Sequence, residues 1–294
     1  MLFRSRKVEF NFYAVRPRGS PLVTSGGRAP GHLPLKQALQ EVDGLLRGAA
    51  GRRLRPVEVY DLCMFTARAV LSGGVRRSAT ICLFSPDDAE MMDAKTGNWF
   101  ETHPQRSASN NSAVLPRSAP DDALFRRLFR AQQEFGEPGF YFADHPDHGC
   151  NPCCEIGLHP VLTAPLPEAD EARLRALGFA GSTAAGARLS GWQMCNLSTI
   201  NGAALRSADD FLVACVQAAA IGTFQAAYTD IPYLGPVTRL LNERDALLGV
   251  SICGVMDQPA ILLDPAVLAR GARLCRAERV PKTGPGGMLV RSVG

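Results

Sequence analysis

Apolar residues at Leu35, Ala38, Leu39, Val42, Leu45 and Leu46 recur at helical spacing and predict a helix ending near Gly48. A second helix opens at Pro56, a suitable first-turn position, and runs to about Leu71. Ile81, Leu83 and Phe84 then mark a strand, and Asp87-Asp88 starts a short helix. Residues 95–113 are polar and read as loop, followed by the apolar pair Val114-Leu115. Ser118, Pro120, Asp121 and Asp122 form a helix start, with acids at the positive end of the dipole. Leu124, Phe125, Leu128, Phe129 and Phe135 supply that helix's buried face, and Gly136 its end. Phe140-Tyr-Phe142 reads as a buried strand, and Gln193 to Ile200 as another. Ser207 with Asp210 resembles a capping box opening a helix to about Tyr228. Residues 237–247 are helical and Leu248 to Cys253 is a strand. Residues 5–15 alternate weakly and predict a first strand, whereas residues 160–190, rich in Ala, Gly and Pro, read as a variable excursion. Helices alternating with strands define an α/β chain. Apolar content falls after about Cys275, so residues 1–275 are expected to form the folded part and residues 276–294 a disordered or off-pattern tail.

Composition narrows the function classes. The 294 residues suffice for a large core, and the balance of 46% hydrophobic to 20% charged residues is ordinary for a globular chain. A net charge of +4 is too mild to imply nucleic-acid binding, and no apolar run is long enough to span a bilayer. Nine cysteines, an odd number at irregular spacing with no secretory signal, point to a reducing cytosol with most thiols packed as small hydrophobes.

The stretch Asn151-Pro-Cys-Cys-Glu-Ile156 carries the densest candidate chemistry. In an extended segment, Asn151, Cys153 and Glu155 would face one side together: an amide, a thiol and a general base. Pro152 lacks an N–H and suits a loop or an unpaired edge, so the expected form is a loop with a reactive tip. Two further segments suit anions. Arg16 to Gly31 combines arginines with Gly and Pro, and its ordinary reading is a surface loop. Ser72-Gly-Gly-Val-Arg-Arg-Ser-Ala79 joins a helix to a strand through two arginines; its ordinary reading is that Gly73-Gly74 ends the helix. A zinc site built on Cys150, Cys153 and Cys154 would need a second pair or suitably spaced histidines. Cys195 is alone and His145, His148 and His159 lack a finger-like pattern, so no metal ligand is assigned. A Cys153 hydrolase nucleophile lacks an identifiable histidine partner.

Asn151-Pro-Cys-Cys-Glu155 followed by Gln193-Met-Cys-Asn-Leu197 resembles the large catalytic subunit of ribonucleotide reductases, in the adenosylcobalamin-dependent (class II) branch. Further stretches recur in the family's order: Arg16 to Gly31, Gly73 to Ala79, Trp99 to Gln105, Ser109-Asn-Asn-Ser112, Gly136 to Phe140, Tyr228 to Tyr233 and Leu247 to Ser251. The resemblance implies part of a ten-stranded α/β barrel with the radical cysteine on a central finger loop. It implies that Cys153 becomes the thiyl radical that abstracts the ribose 3′ hydrogen, that Glu155 takes the 3′-hydroxyl proton and that Asn151 holds the ribose hydroxyls. Cys195 resembles one of the two reducing thiols. Arg16, Arg18, Gly26 and Gly27 resemble the first effector loop. Gly73, Gly74, Arg76 and Arg77 resemble the second, with Ser78, Ala79, Asn110 and Asn111 beside the substrate. The implied cofactor is adenosylcobalamin. The implied partners are a ribonucleotide substrate, a dNTP or ATP effector and a thioredoxin-like or other dithiol reductant, with a homodimer left open. The strand bearing the partner of Cys195 and the later barrel strands have no counterpart in the chain, so a partial chain with impaired activity is expected. Alternatives are a non-catalytic nucleotide-binding module, a class I large-subunit fragment and a structural thiol or zinc protein.

Overall fold

A computed structural model describes residues 9–23, 26–72, 75–76, 78–117, 121–145, 147–154 and 156–277. The chain divides into two compact units, residues 1–144 and 145–294. The expected tail beyond residue 277 lies outside the described residues.

The first unit contains α1 (Leu33–Gly48), α2 (Pro56–Ala69), β1 (Leu71–Ser72), β2 (Val75–Arg76), β3 (Thr80–Phe84), α3 (Ala89–Met92), α4 (Trp99–Thr102), β4 (Ser109–Leu115), α5 (Asp122–Phe135) and β5 (Gly139–Phe142). Strands β3, β4 and β5 form a parallel sheet in that order, with Thr80 opposite Ser109 and Ser112 opposite Gly139. Its core joins Tyr60 and Met64 of α2, Phe84, Met92, Ala113, Leu115 and Leu128. The start of α2 is locked by a local exchange: Glu58 accepts the Arg55 N–H and ion-pairs with Arg52 and Arg55. Asp88 and Asp121 cap α3 and α5 through their carboxylates, and Gly136 ends α5 in the left-handed region at φ 77°.

Three expectations for this unit are corrected. Residues 9–15 form no strand, because Asn11 Oδ1 accepts the Tyr13 N–H and the chain turns there. The polar run 95–113 is not loop: it holds α4, a 3-10 turn over Pro104–Ala108 and most of β4, the middle strand of the sheet. Ladder partners on both sides and buried side-chain bonds offset its low apolar content. Tyr60 Oη lies 2.8 Å from Ser109 Oγ, which donates to Asn111 Oδ1 at 2.9 Å, and buried Lys95 donates to the Ser109 carbonyl. On α5 only Leu128 is fully buried, while Phe125, Phe129 and Phe135 are exposed. Phe125 instead stacks on Phe140 of β5, the edge strand, at 4.8 Å between ring centroids.

The second unit contains β6 (Gly149–Cys150), β7 (Gly157–Leu158), β8 (Val161–Thr163), α6 (Glu168–Ala176), β9 (Arg188–Ser190), β10 (Asn196–Asn201), α7 (Ala208–Ala226), α8 (Gly235–Asp245), β11 (Leu248–Cys253), α9 (Pro259–Leu262) and α10 (Pro265–Ala277). Strands β10 and β11 pair in parallel over six rungs, from Asn196 opposite Leu248 to Asn201 opposite Cys253. The crossover contains α7 and α8, as a parallel pair requires. Ser207 caps α7 by accepting the Asp210 N–H, but Asp210 accepts from Arg206 rather than from the cap itself. The excursion over 160–190 is structured: β8 pairs antiparallel with β9, and Leu162, Leu174 and Leu189 share a core with Leu240 and Leu241 of α8. Arg173 clasps Glu243 through two hydrogen bonds of 2.8 and 2.7 Å.

Both units are α/β, with a three-stranded sheet and two-stranded pairs. None of these sheets closes on itself among the described residues.

Candidate functional site

Cys153 sits at the tip of a tight turn between β6 and β7. Gly149 pairs with Leu158 and Cys150 with Gly157, which brings the two arms together. Asn151 closes the loop. Its N–H donates to the Ile156 carbonyl at 3.2 Å, and its side-chain Oδ1 accepts the Ile156 N–H at 2.9 Å. The Cys154 N–H returns to the Asn151 carbonyl at 2.9 Å, and Cys154 takes φ +65°, in the left-handed region.

The segment is therefore not extended. The alternation that would align Asn151, Cys153 and Glu155 is replaced by a turn in which Asn151 is 4% exposed while Cys153 and Cys154 are exposed. The expected loop with a thiol at its tip is present. Glu155 lies outside the described residues.

The turn is seated on the β10–β11 pair. Ile156 is buried, and a Cβ built on Gly249 of β11 would lie 2.8 Å from Ile156 Cγ1 and 3.1 Å from Leu197 Cδ1. Leu197 and Gly249 share a rung. Cys195 is exposed just before β10, two residues ahead of Leu197.

Helix α8 fixes the approach to Cys195. Asn242 Oδ1 accepts the Met194 N–H at 2.7 Å, and Asn242 Nδ2 donates to the Trp192 carbonyl at 2.9 Å. Thr238 Oγ1 accepts the Trp192 N–H, and Asn196 Nδ2 donates to the Leu247 carbonyl. Gln193 links the two cysteine segments: its Oε1 accepts the His159 N–H and its Nε2 donates to Asp245, each at 2.6 Å. The sequence did not single out Thr238, Asn242 or Gly249 as supports. Their signal was present, since Thr238 and Asn242 are polar positions within an amphipathic helix and Gly249 is a glycine inside an apolar strand.

The rings of His145, His148 and His159 lie 4.7, 5.3 and 6.1 Å apart. Burial, then the neighbouring His148, pushes the His159 imidazole below the ordinary histidine range. Among the described residues no group of three or more His, Cys, Asp or Glu side chains is arranged to hold a metal ion.

The first unit holds the nucleotide candidates. The loop from Arg16 to Gly31 is a hairpin: Gly19 N–H donates to Ala29 O, Ala29 N–H to Ser20 O and Leu22 N–H to Gly27 O. Gly26 and Gly27 both have positive φ. Gly31, at φ +79°, leaves room for Arg18, whose Cβ would be 3.1 Å from an added methyl. Arg16, Gly31, Cys63 and Thr66 of α2, Ser78 and Thr80 line one cavity of about 870 Å³. Arg16 and Ser78 thus come together in one concavity of ligand size.

Arg76 belongs to the small β1–β2 hairpin, and Ala79 is exposed just before β3. Gly73, Gly74 and Arg77 lie outside the described residues. Asn110 and Asn111 face opposite sides of β4, Asn110 exposed and Asn111 2% exposed. Asn111 accepts from Ser109 through Oδ1, and its buried Nδ2 has no hydrogen-bond partner among the described residues.

No family model matches the chain. Over about half its length it is similar to adenosylcobalamin-dependent ribonucleoside-triphosphate reductases. The relative from Lactobacillus leichmannii is 33% identical over 174 residues, which is 53% of this chain and 23% of that protein. The relative from Levilactobacillus brevis is 28% identical over 172 residues, 53% of this chain and 22% of that protein. A probable adenosylcobalamin-dependent ribonucleoside-triphosphate reductase of Dictyostelium discoideum is 27% identical over 139 residues, 46% of this chain and 18% of that protein. The chain thus spans about a quarter of the length of the curated relatives it matches.

Proposed function

We propose that this chain carries the thiyl-radical centre and part of the nucleotide site of an adenosylcobalamin-dependent ribonucleotide reductase, an oxidoreductase that makes deoxyribonucleotides for DNA synthesis. The observation that carries the proposal is the exposed Cys153 thiol, presented by a turn clamped at both ends and seated on the pair of strands that leads from Cys195. The relatives' names favour ribonucleoside triphosphates as substrates.

Cys153 as a thiyl radical takes the ribose 3′ hydrogen, and Glu155 accepts the 3′-hydroxyl proton. The Asn151 carboxamide, whose oxygen accepts the Ile156 N–H, is the amide assigned to the ribose hydroxyls. Cys195 with a second thiol supplies the two electrons that reduce the 2′ position, and a dithiol reductant restores the pair. The exposure of Cys153 fits a thiol that meets a radical-generating cofactor from outside its own turn. Adenosylcobalamin, when bound, supplies the initiating radical through homolysis of its cobalt–carbon bond.

The larger frame belongs to the same reading: residues 1–275 as one part of a ten-stranded barrel whose finger loop is the Cys153 turn. Arg16, Arg18, Gly26 and Gly27 with the 73–79 segment form the effector region, and Ser78, Ala79 and Asn110 lie toward the substrate. The cavity shared by Arg16 and Ser78 also favours a second reading, a nucleotide-binding module without turnover.

One experiment separates the readings. The chain is mixed with adenosylcobalamin, dithiothreitol and ribonucleoside triphosphates and followed by electron paramagnetic resonance, while nucleotide binding is measured by calorimetry. A radical signal that is lost in Cys153→Ala supports the reductase. Nucleotide binding without any Cys153-dependent signal supports the module instead and overturns the radical assignment.

A further inference from the structure

Cys150 and Cys154 are not used by the reaction proposed above, yet they lie together in the turn that bears Cys153. Their sulfurs are 3.6 Å apart, Cys150 buried on β6 and Cys154 exposed. The contact is held by the turn. Asn151 fixes the loop's two ends on Ile156, and the left-handed backbone at Cys154 folds its side chain back over the arm it came from. A residue with a Cβ in that region costs on the order of 1 kcal/mol, which glycine would avoid. Ile156, the partner that Asn151 grips, packs closely over Gly249.

We propose that Cys150 and Cys154 form a reversible disulfide that staples the base of the Cys153 turn, closed by exchange with a small-molecule disulfide such as oxidised glutathione. A disulfide needs its sulfurs at about 2.05 Å, so these must approach by about 1.6 Å, within the reach of side-chain rotation. The exposed Cys154 thiolate attacks one sulfur of the small disulfide and displaces one thiolate. Cys150, deprotonated in turn, attacks the Cys154 sulfur of the mixed disulfide and displaces the second. Two electrons pass from the protein sulfurs to the small disulfide, and the two protons end on the released thiols. Cys153 keeps its sulfur outside the bridge. The bridge closes a ring of five residues with the exposed Cys154 at one end, and exposed disulfides belong among the readily reduced, regulatory ones rather than the inert structural ones.

The test uses the full chain, reduced with dithiothreitol, desalted and exposed to oxidised glutathione. It is then acid-quenched, alkylated with N-ethylmaleimide, digested and mapped by mass spectrometry. The expected product is a peptide about 2 Da lighter than its dithiol form, cross-linked between Cys150 and Cys154 and alkylated at Cys153. Cys153→Ala keeps the cross-link. Cys154→Ala abolishes it and leaves no bridge to Cys150. Closure in the folded chain should be at least about tenfold faster than in urea, because the turn holds the sulfurs together. Alkylation of both Cys150 and Cys154 at a poise where Cys153 is already glutathionylated overturns the proposal. So does a bridge that uses Cys153, or equal rates in the folded and unfolded chain. None of these outcomes depends on turnover, so the result stands apart from the reductase reading.

Discussion

Replacing Asn151 by Ala removes the acceptor for a buried N–H at Ile156 and loosens the far end of the turn. The expected cost is about 1–3 kcal/mol. In urea unfolding followed with hydrogen exchange, the Ile156 amide should exchange faster by an order of magnitude or more while amides of α5 are unchanged. Tyr60 gives a pH signature of its own. Burial, opposed by the Ser109 hydrogen bond, pushes its phenol from 10.0 up to about 12. The folded chain therefore holds this proton where the unfolded chain has lost it. The stability it lends is complete below about pH 10 and disappears as pH rises through about 12, an effect on the order of 2 kcal/mol. Urea midpoints measured from pH 9 upward should fall less steeply in Tyr60→Phe than in the native chain. At this scale the sequence was legible where chemistry is local: the caps Asp88 and Ser207, the stop at Gly136 and the exposed thiol at Cys153. The orientation of Asn151 was not, because the choice between an extended segment and a turn was decided by the Ile156 N–H and its seat on a strand nearly a hundred residues away.

The elements that position the thiols depend on close packing and on side-chain clamps to backbone. Gly249→Ala would drive a methyl to 2.8 Å from Ile156 and 3.1 Å from Leu197. The turn must lift or the strand must shift, at about 1–3 kcal/mol. Combining it with Ile156→Ala should return part of that loss, a coupling that thermal or urea unfolding of the double variant reads directly. Asn242→Ala would strand both the Met194 N–H and the Trp192 carbonyl. It should cost about 2–4 kcal/mol, and it should change the alkylation rate of Cys195 while that of Cys153 is little altered. Amphipathic helices and apolar strands such as α1, α2, α8 and β11 were legible because their periodicity is set by burial. Strand β4 was hidden because its buried positions Ser109, Asn111 and Ser112 are polar, and Ser109 takes its partners from outside the strand, in Tyr60 and Lys95.

At the scale of the molecule, each unit is held by its own buried network and carries a different part of the proposed chemistry. In the first, Arg106 meets Asp61 through two hydrogen bonds of 2.9 and 2.8 Å, and Gln105 adds a third to the same carboxylate. Asp61→Ala would leave a buried guanidinium without its counter-charge, and loss of about 3–5 kcal/mol is expected in thermal unfolding. Arg16→Ala acts on binding instead. It should weaken nucleotide affinity roughly tenfold by calorimetry with the unfolding midpoint unchanged, since Arg16 is exposed on the rim of its cavity. The α/β alternation was readable across both units, whereas the sharing of one cavity by Arg16 and Ser78 was not, because it depends on how a hairpin folds onto α2.

The double tether between Asn151 and Ile156 makes the length of this loop as important as its composition. Backbone and side chain of one residue grip a single partner, and that partner is itself wedged against Gly249. An inserted or deleted residue between 151 and 156 cannot be absorbed by slack. It must break the tether, unseat Ile156 or rotate the thiol away from where the turn now presents it. The hairpin around residues 19–29 is zipped by backbone bonds, with Arg28 Nη1 added on the Gly19 carbonyl, and should accept a longer tip. Variation in chain length is therefore tolerable in the segment proposed to sense nucleotides and excluded from the one proposed to carry the radical.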